Sequence, residues 1–242
     1  MTRRKAPNWL TQWEYAHRGL HSDGVPENSL LGARLAMEAG YGVECDIQRS
    51  VDDQPVMFHD WDLSRLTGEN GETGSRTAEQ LGTLRLLATG ERPARLATLL
   101  ELVNGRVPLL IEIKSRRGYD VDRTCVAVAD LLQHYRGDHA VMSFDPRVAR
   151  WFRKHSSQTP CGLVMREDEF GYTQKAWQRR LAFRIAKPDF LAYHIHALPS
   201  RWVAKLRAKG IPVLTWTVAT PELRQRALHD ADALITEADG FA

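Results

Sequence analysis

The ionisable side chains that could do chemistry lie beside short apolar runs in the first half of the chain. Glu44 and Asp46 are two residues apart in one run, and Glu112 and Lys114 are two apart in another. Side chains two apart on a strand point to the same face, so each pair would reach one site. Three carboxylates brought together would repel one another unless a cation lay between them. Oxygen ligands favour a hard ion such as Mg²⁺ or Ca²⁺.

Two histidines and two cationic side chains complete the set of candidate residues. The tripeptide His17-Arg18-Gly19 follows the first apolar run, and His59 follows a later one. Two histidines at one site could act as a general base and a general acid around a phosphorus centre. Arg18 and Lys114 could bind phosphate, the first as a planar fork and the second as a point charge.

Each motif also has an explanation that involves no catalysis. A strand that ends in His-Arg-Gly can do so by chance, and the two acid-containing pairs can form salt bridges with neighbouring residues. Asn28 and Ser29 are, at minimum, candidates for the N-cap of a helix. The motifs together favour catalysis, because all of them fall where strands are predicted to end.

Short apolar runs alternate with helix-like stretches almost to the end of the chain, which is typical of a parallel sheet with crossover helices. Eight parallel strands are predicted, starting near residues 15, 42, 107, 140, 162, 190, 213 and 233. Eight strands close an α/β barrel, so the predicted fold class is α/β, a (β/α)8 TIM barrel formed by residues 1–242 as a single domain. Active sites in this fold lie at the C-terminal ends of the strands, where the candidate residues fall.

One stretch breaks the alternation, because the apolar run Val56–Phe58 follows Asp46 too closely for a crossover helix. Parallel pairing needs a connection of about a dozen residues, so an antiparallel hairpin should replace the helix after the second strand. A two-residue turn at residues 52–53 would place His59 directly across from Asp46. Residues 62–95, rich in Gly, Thr, Glu and Arg, are expected to form a small inserted loop or excursion.

The composition limits the class of function. Of 242 residues, 43% are hydrophobic and 26% are charged, which is enough to build a core. The formal net charge of +3 suits a small anionic substrate and is too low for a dedicated nucleic-acid binder, so no nucleic-acid partner is expected. The three cysteines form no CxxC pair, and no signal peptide or transmembrane segment is recognisable. A cytoplasmic location is therefore predicted.

The motifs resemble those of the glycerophosphodiester phosphodiesterase family in order and context. They are HRG at 17–19, PEN followed by serine at 26–29, E-x-D at 44–46, D-x-x-P-V-x-x-H-D at 52–60 and IEIK at 111–114. The resemblance is strong over this first half. It continues more weakly around residues 143–144, 216–218 and 234–236.

The resemblance implies a barrel that hydrolyses a glycerophosphodiester, a small-molecule substrate, to glycerol 3-phosphate and an alcohol. It implies one divalent cation, Mg²⁺ or Ca²⁺, as cofactor. By the same resemblance, His17 and His59 are the acid–base pair, in either order. Glu27 would lie at the edge of the site and orient a catalytic group or the substrate. The implied metal ligands are Glu44, Asp46 and Glu112, and the implied substrate or phosphate contacts are Arg18, Lys114, Glu27 and Trp216.

Two positions depart from the family's pattern. Ala219 stands where an asparagine often follows Trp-Thr-Val, and Glu237 stands where an aspartate closes the last strand. Neither position is expected to contact the proposed metal ligands or histidines. Both affect the second-half side of the pocket and leave the choice of substrate open.

Residues 174–187 predict a basic helix in which Trp177, Leu181 and Ile185 form an apolar stripe. The simpler interpretation is a helix packed on the barrel with a solvated basic face. The alternative is a wall near the barrel mouth that contacts anionic lipid headgroups or an acyl chain, which would be a peripheral membrane contact.

Three functions are compatible with these residues. The first is hydrolysis of glycerophosphodiesters, and the second is a lysophospholipase D-like hydrolysis of lysophospholipids. The third is a catalytically silent barrel that binds a phosphodiester or a metal. The intact set of histidines and carboxylates argues against the third. The headgroup, the metal and the oligomeric state stay open at the level of sequence.

Overall fold

The computed structural model describes residues 4–87 and 89–241. The strands in those residues are β1 (Tyr15–Ala16), β2 (Gly42–Arg49), β3 (Pro55–Met57), β4 (Leu109–Ile113), β5 (His139–Ser143), β6 (Cys161–Met165), β7 (Phe190–His194), β8 (Val213–Val218) and β9 (Ala233–Thr236). The α-helices are α1 (Leu30–Glu38), α2 (Ser64–Thr67), α3 (Ala78–Leu81), α4 (Leu96–Val103), α5 (Val121–Leu132), α6 (Pro146–His155), α7 (Ala176–Ala186), α8 (Arg201–Arg207) and α9 (Pro221–Asp230).

Within the described chain, eight parallel strands close into a barrel. β1 pairs with β2 on one side and with β9 on the other, so that Tyr15 lies opposite both Gly42 and Ile235. β2 pairs with β4, and the remaining neighbours follow chain order from β4 to β9. The predicted (β/α)8 barrel is therefore confirmed.

β3 pairs antiparallel with β2, so the predicted hairpin in place of a helix is also confirmed. Its register differs from the prediction by one residue. Gln48 lies opposite Val56, and Phe58 N donates a hydrogen bond to Asp46 O at 3.0 Å. The predicted pairing of Asp46 with His59 is therefore wrong.

The turn of this hairpin explains the shift in register. Ser50 N donates to Gln54 O at 3.0 Å, so three residues, not two, connect the strands. Asp53 has a left-handed φ of 62°, which is the usual conformation of the last residue in a three-residue hairpin loop. The Ser50 hydroxyl fixes the loop by donating to Asp52 Oδ1 at 2.6 Å and accepting from Gln54 N at 2.9 Å.

The barrel interior is apolar at its N-terminal end and charged at its C-terminal end. Tyr15 and Leu110 are fully buried near the floor. Gly42 leaves the space that the Tyr15 ring fills, since a Cβ at Gly42 would lie 2.6 Å from Tyr15 Cδ1. Two residues further along the same strand faces come Glu44 and Glu112. Because side chains two residues apart on a strand share a face, these acidic side chains lie at the mouth of the barrel, directly above a packed apolar layer.

The described part of residues 62–95 forms an insertion, as predicted, and it is an excursion with helices of its own rather than a plain loop. It contains α2 and α3, which pack with the β3 hairpin around a small core of their own. That core consists of Val56, Phe58, Leu63, Leu66, Ala78, Leu81 and Leu86. The composition does not identify α2 and α3, because helices of four residues are too short to show a hydrophobic period.

α7 packs on the barrel through a side other than the predicted apolar stripe. Ala182 and Ala186 are buried, and Phe183 is half-buried against the core. Trp177 and Leu181 of the stripe are 61% and 48% exposed, so the simpler interpretation does not account for them. Among the described helices, none combines the length and hydropathy needed to cross a bilayer.

Candidate active site

A cavity of about 360 Å³ opens at the C-terminal end of the barrel. Parallel barrel strands all end at the same rim, which brings residues that are distant in sequence together there. Glu27 reaches this rim through a 2.8 Å hydrogen bond from Arg18 Nη1. The other eight residues singled out from the sequence line the cavity, namely His17, Arg18, Glu44, Asp46, His59, Glu112, Lys114 and Trp216.

Glu44, Asp46 and Glu112 form a buried cluster in which one carboxylate oxygen of each lies within 4.8 Å of the others. Lys114 Nζ lies 3.2 Å from Asp46 Oδ1 and 3.0 Å from Glu112 Oε1. Burial and the neighbouring charges of Asp46 and Glu112 raise the pKa of Glu44 well above its ordinary value. The cluster could hold a metal ion, because a divalent cation would relieve this repulsion.

Asp46 is held in its ionised form by neighbouring cations. Burial alone would raise its pKa, but the charges of Lys114 and Arg18 outweigh burial and hold the pKa of Asp46 below its ordinary value. Asn28 orients this carboxylate, since Asn28 Nδ2 donates to Asp46 Oδ2 at 3.0 Å and Asp46 N donates to Asn28 Oδ1 at 2.9 Å. The cap of α1 is therefore Ser29, whose hydroxyl accepts a hydrogen bond from the first turn of the helix.

A left-handed turn after β1 positions Arg18. The φ angles of Arg18 and Gly19 are 57° and 78°. Arg18 N donates to Glu44 Oε2 at 2.9 Å, and Arg18 Nε lies 3.1 Å from Asp46 Oδ2. Glu27 therefore fixes a guanidinium that already contacts the carboxylate cluster.

His17 is held by Glu237, which was not expected to contact the histidines. His17 Nδ1 lies 2.6 Å from Glu237 Oε2, and His21 Nε2 lies 3.5 Å from the same oxygen. The hydrogen bond with His17 and the nearby imidazole of His21 lower the pKa of Glu237 below its ordinary value. The expectation for position 237 is wrong because barrel closure puts the end of β9 beside β1. The adjacency of first and last strands was the signal that could have revealed this contact.

His59 is held in a similar way from the other side of the mouth. His59 Nδ1 lies 2.6 Å from Asp60 Oδ1. Arg65 of α2 donates to Asp60 at 3.1 Å and to both oxygens of Glu27 at 2.8 Å. Burial lowers the pKa of His59, and the charge of Asp46 only partly offsets this. Arg65 was missed in the sequence because one arginine in a four-residue helix forms no recognisable motif.

The second half of the barrel contributes an aromatic wall and one arginine. Trp216 Nε1 donates to Ala192 O at 3.1 Å, and its ring packs perpendicular to Phe144 at a centroid distance of 5.4 Å. The Arg166 guanidinium lies 5.7 Å from the Trp216 ring and 5.3 Å from the Phe170 ring. Arg166 and Phe170 line the cavity without belonging to any motif of the sequence, whereas Phe144 lies in the weakly similar stretch at residues 143–144.

Comparisons with known proteins identify similar chains. A family model described as the glycerophosphoryl diester phosphodiesterase family matches residues 17–238. The glycerophosphodiester phosphodiesterase of Caldanaerobacter subterraneus subsp. tengcongensis is 26% identical over 92% of this chain and 92% of its own length. Glycerophosphodiester phosphodiesterase 1 of Bos taurus is 26% identical over 85% of this chain and 71% of its own length.

Solved structures share the fold. A phosphodiesterase of Oleispira antarctica, in complex with the product sn-glycerol-3-phosphate, superimposes with a TM-score of 0.81. Its sequence is 24% identical, and the match covers 93% of this chain and 92% of that chain. The similarity extends across the whole barrel rather than one half of it.

Proposed function

Because the chain belongs to the glycerophosphoryl diester phosphodiesterase family and is thus a phosphodiesterase, we propose that it hydrolyses glycerophosphodiesters to glycerol 3-phosphate and an alcohol. The observation that carries the proposal is the convergence of three buried carboxylates, two histidines and two cationic side chains around one cavity. A carboxylate lies 2.6 Å from Nδ1 of each histidine and orients the ring, which supports a role in acid–base catalysis. The similar Oleispira phosphodiesterase binds sn-glycerol-3-phosphate, the product proposed for this chain.

The carboxylate cluster fits a divalent cation. Glu44, Asp46 and Glu112 offer three oxygen ligands within 4.8 Å of one another, the donor type that Mg²⁺ and Ca²⁺ prefer. Burial and the charges of Asp46 and Glu112 raise the pKa of Glu44, and a bound cation would offset both effects. The three carboxylates would hold the ion, which when bound supplies positive charge that stabilises the phosphate oxygens.

The two histidines carry the proton transfers. Nδ1 of His17 is engaged by Glu237, and Nδ1 of His59 is engaged by Asp60. In each ring, Nε2 is therefore the nitrogen available to exchange a proton with a substrate in the cavity. One Nε2 accepts a proton from the attacking oxygen. Attack by water gives glycerol 3-phosphate directly, whereas attack by the substrate's own glycerol 2-hydroxyl gives a cyclic phosphodiester that a water molecule then opens to glycerol 3-phosphate. The other Nε2 gives a proton to the oxygen of the leaving alcohol.

Arg18 and Lys114 supply positive charge for the phosphate. Burial would lower the pKa of Lys114, but Asp46 and Glu112 outweigh it and raise this pKa above its ordinary value, so the ammonium stays charged. The Trp216 ring offers an apolar face beside these charges for carbon atoms of the substrate.

The proposal is tested by following glycerophosphocholine and glycerophosphoethanolamine with ³¹P NMR in the presence of Mg²⁺ or Ca²⁺. We expect glycerol 3-phosphate as the phosphorus product from both. Phosphocholine as product would mean cleavage of the other ester bond and would contradict the proposal. Binding of both compounds in a calorimeter without any turnover would instead support the silent barrel.

A lysophospholipid is the second candidate substrate, favoured by the side chains at the rim. Phe170 and Tyr172 line the cavity and are 74% and 75% exposed, so they could contact an acyl chain. Faster release of lysophosphatidic acid from lysophosphatidylcholine than of glycerol 3-phosphate from glycerophosphocholine would favour this substrate.

The proposed enzyme acts as a single domain in the cytoplasm. Cys45, Cys125 and Cys161 are buried free thiols, which suits a reducing compartment. Recovery of the native protein in a periplasmic or extracellular fraction would contradict this location.

A further inference from the structure

The segment from the end of β6 to the end of α7 concentrates exposed apolar side chains. Eight large hydrophobic side chains are exposed in the described residues, and four of them fall within residues 170–181. Clusters of this kind commonly mark a contact surface. The four are Phe170, Tyr172, Trp177 and Leu181, which are 74%, 75%, 61% and 48% exposed.

The exposed face of α7 is also basic. Residues three and four apart are neighbours on a helix, so Arg180 and Arg184 flank Trp177 and Leu181. Both arginines are exposed, and within the described chain neither has an ion-pair partner. Apolar and cationic side chains therefore share one solvent-facing side of this helix.

The acidic residues of the segment do not cancel this charge. Glu167 Oε2 lies 2.8 Å from Arg179 Nη1, and Asp168 Oδ1 lies 2.5 Å from Arg166 Nε. Two acids are thus neutralised by arginines that lie off the exposed face. The remaining acid, Glu169, is outnumbered by the exposed cations Lys175, Arg180 and Arg184.

We propose that the β6–α7 segment, residues 166–187, docks the protein on the surface of an anionic lipid bilayer. The aromatic rings and Leu181 enter the interface, while Arg180 and Arg184 contact anionic headgroups. Phe170 and Tyr172 also line the active-site cavity, so docking would bring the barrel mouth to the lipid. The proposal goes beyond the proposed hydrolysis and does not depend on it, because vesicle binding is measured without turnover.

The charge of the face favours a bilayer over a second copy of this chain. A symmetric dimer through the same surface would bring two sets of unpaired arginines together, and like charges oppose that contact. An anionic lipid surface complements both the cations and the apolar side chains between them.

The test is co-sedimentation with vesicles of phosphatidylcholine alone and of phosphatidylcholine mixed with phosphatidylglycerol. We expect the native chain to bind the anionic vesicles, and to bind them less as salt is raised. Arg180→Gln with Arg184→Gln should weaken binding roughly tenfold or more, since each basic residue near such a surface contributes severalfold. Trp177→Ser with Leu181→Ser should weaken it to a similar degree.

Matched controls lie elsewhere on the barrel. Val126→Ser with Leu228→Ser removes exposed apolar side chains from α5 and α9, and Arg201→Gln with Lys205→Gln removes two cations four residues apart on α8. Both controls should bind like the native chain. The proposal fails if the native chain does not bind anionic vesicles, or if the control variants lose as much binding as the α7 variants. A dimer in sedimentation velocity that Trp177→Ser with Leu181→Ser converts to monomer would overturn it as well.

Discussion

At the scale of single residues, His17 and His59 have matching surroundings, since a carboxylate holds Nδ1 of each ring at 2.6 Å. We expect His17→Ala and His59→Ala each to lower kcat by roughly 10²–10⁴-fold, the usual contribution of acid–base catalysis. His229→Ala is the control, because that side chain is 88% exposed on α9. The steady-state rate of glycerol 3-phosphate release is measured for all three variants. A near-native rate for His17→Ala or His59→Ala would rule out the assignment of that histidine to acid–base catalysis.

The leaving group distinguishes the two histidines. A 4-nitrophenyl ester of glycerol 3-phosphate expels a stable anion that needs no proton. The variant that lacks the general acid should therefore lose much less activity on this ester than on glycerophosphocholine, while the variant that lacks the base should lose equally on both. Identical losses for the two variants on both substrates would contradict a division of roles.

Glu237 is expected to act through His17 as a positioning residue. Glu237→Gln removes the charge that orients the ring, so we expect kcat to fall roughly 10–100-fold, as for other supporting carboxylates, while KM stays nearly constant. Glu237→Asp should recover part of the rate, since it restores the carboxylate. Glu38→Gln, an exposed substitution at the end of α1, is the control. A rise in KM with unchanged kcat would show that Glu237 contacts substrate instead.

The sequence alone identifies those residues of the barrel mouth that lie on strands, because the two-residue period of a strand fixes the direction of each side chain. Glu44 and Asp46 could be placed on one face because successive strand residues alternate. The role of Glu237 could not be seen in the same way, because its contact with His17 depends on closure of the barrel by strands at opposite ends of the chain. The position of Arg65 depends on the packing of two four-residue helices, and no local sequence pattern predicts that packing.

At the scale of elements, the turn after β1 depends on one glycine. Gly19 and Gly24 share a φ of 78°, so alanine at either position strains the backbone by the same amount, about 1–2 kcal/mol. The two glycines differ in the room available for a side chain. A Cβ at Gly19 would lie 2.8 Å from the Gly32 carbonyl carbon, whereas no atom would lie within 4 Å of a Cβ at Gly24. We expect Gly19→Ala to melt at a lower temperature than Gly24→Ala and to lose activity. Equal melting temperatures and rates would contradict this account of the turn.

The hairpin and α7 show what element-scale patterns leave open. The short connection after Asp46 is enough to predict an antiparallel pair, but the register depends on whether Val51 joins the two aspartates in the turn. The period of α7 identified Trp177 and Leu181 as a stripe without saying which side of the helix faces the barrel. Small residues, Ala182 and Ala186, make that contact because they allow close approach.

At the scale of the whole molecule, metal binding should stabilise the fold. A cation that binds only the folded cluster adds about 2.7 kcal/mol at about 100 times its Kd. For a domain of this size that is roughly 5–10 °C in Tm. Calorimetry with Mg²⁺ or Ca²⁺ against EDTA should show this gain within one cooperative transition, as expected for a single domain. Glu112→Gln should lose most of the gain, and Glu101→Gln, exposed on α4, should keep it. A Tm that no cation changes would contradict the metal site.

The global architecture follows from a count of strands, because eight parallel runs admit closure into a barrel with its site at one rim. The details of the second-half wall do not follow from that count. Phe144 and Arg166 directly follow β5 and β6, and Phe170 lies in the loop before α7, so the alternation of strand residues does not fix the direction of these side chains. Substrate choice is therefore the property that the sequence pattern reveals least.

The most direct test of the central claim is the release of glycerol 3-phosphate from glycerophosphocholine by protein stripped with EDTA, before and after addition of Mg²⁺ or Ca²⁺. We expect no activity in the stripped protein and recovery of activity with at least one of the two ions. In Glu44→Gln, which removes one carboxylate of the cluster, the same addition should recover little. Full activity in EDTA, or full recovery in Glu44→Gln, would contradict a metal-dependent phosphodiesterase at this site.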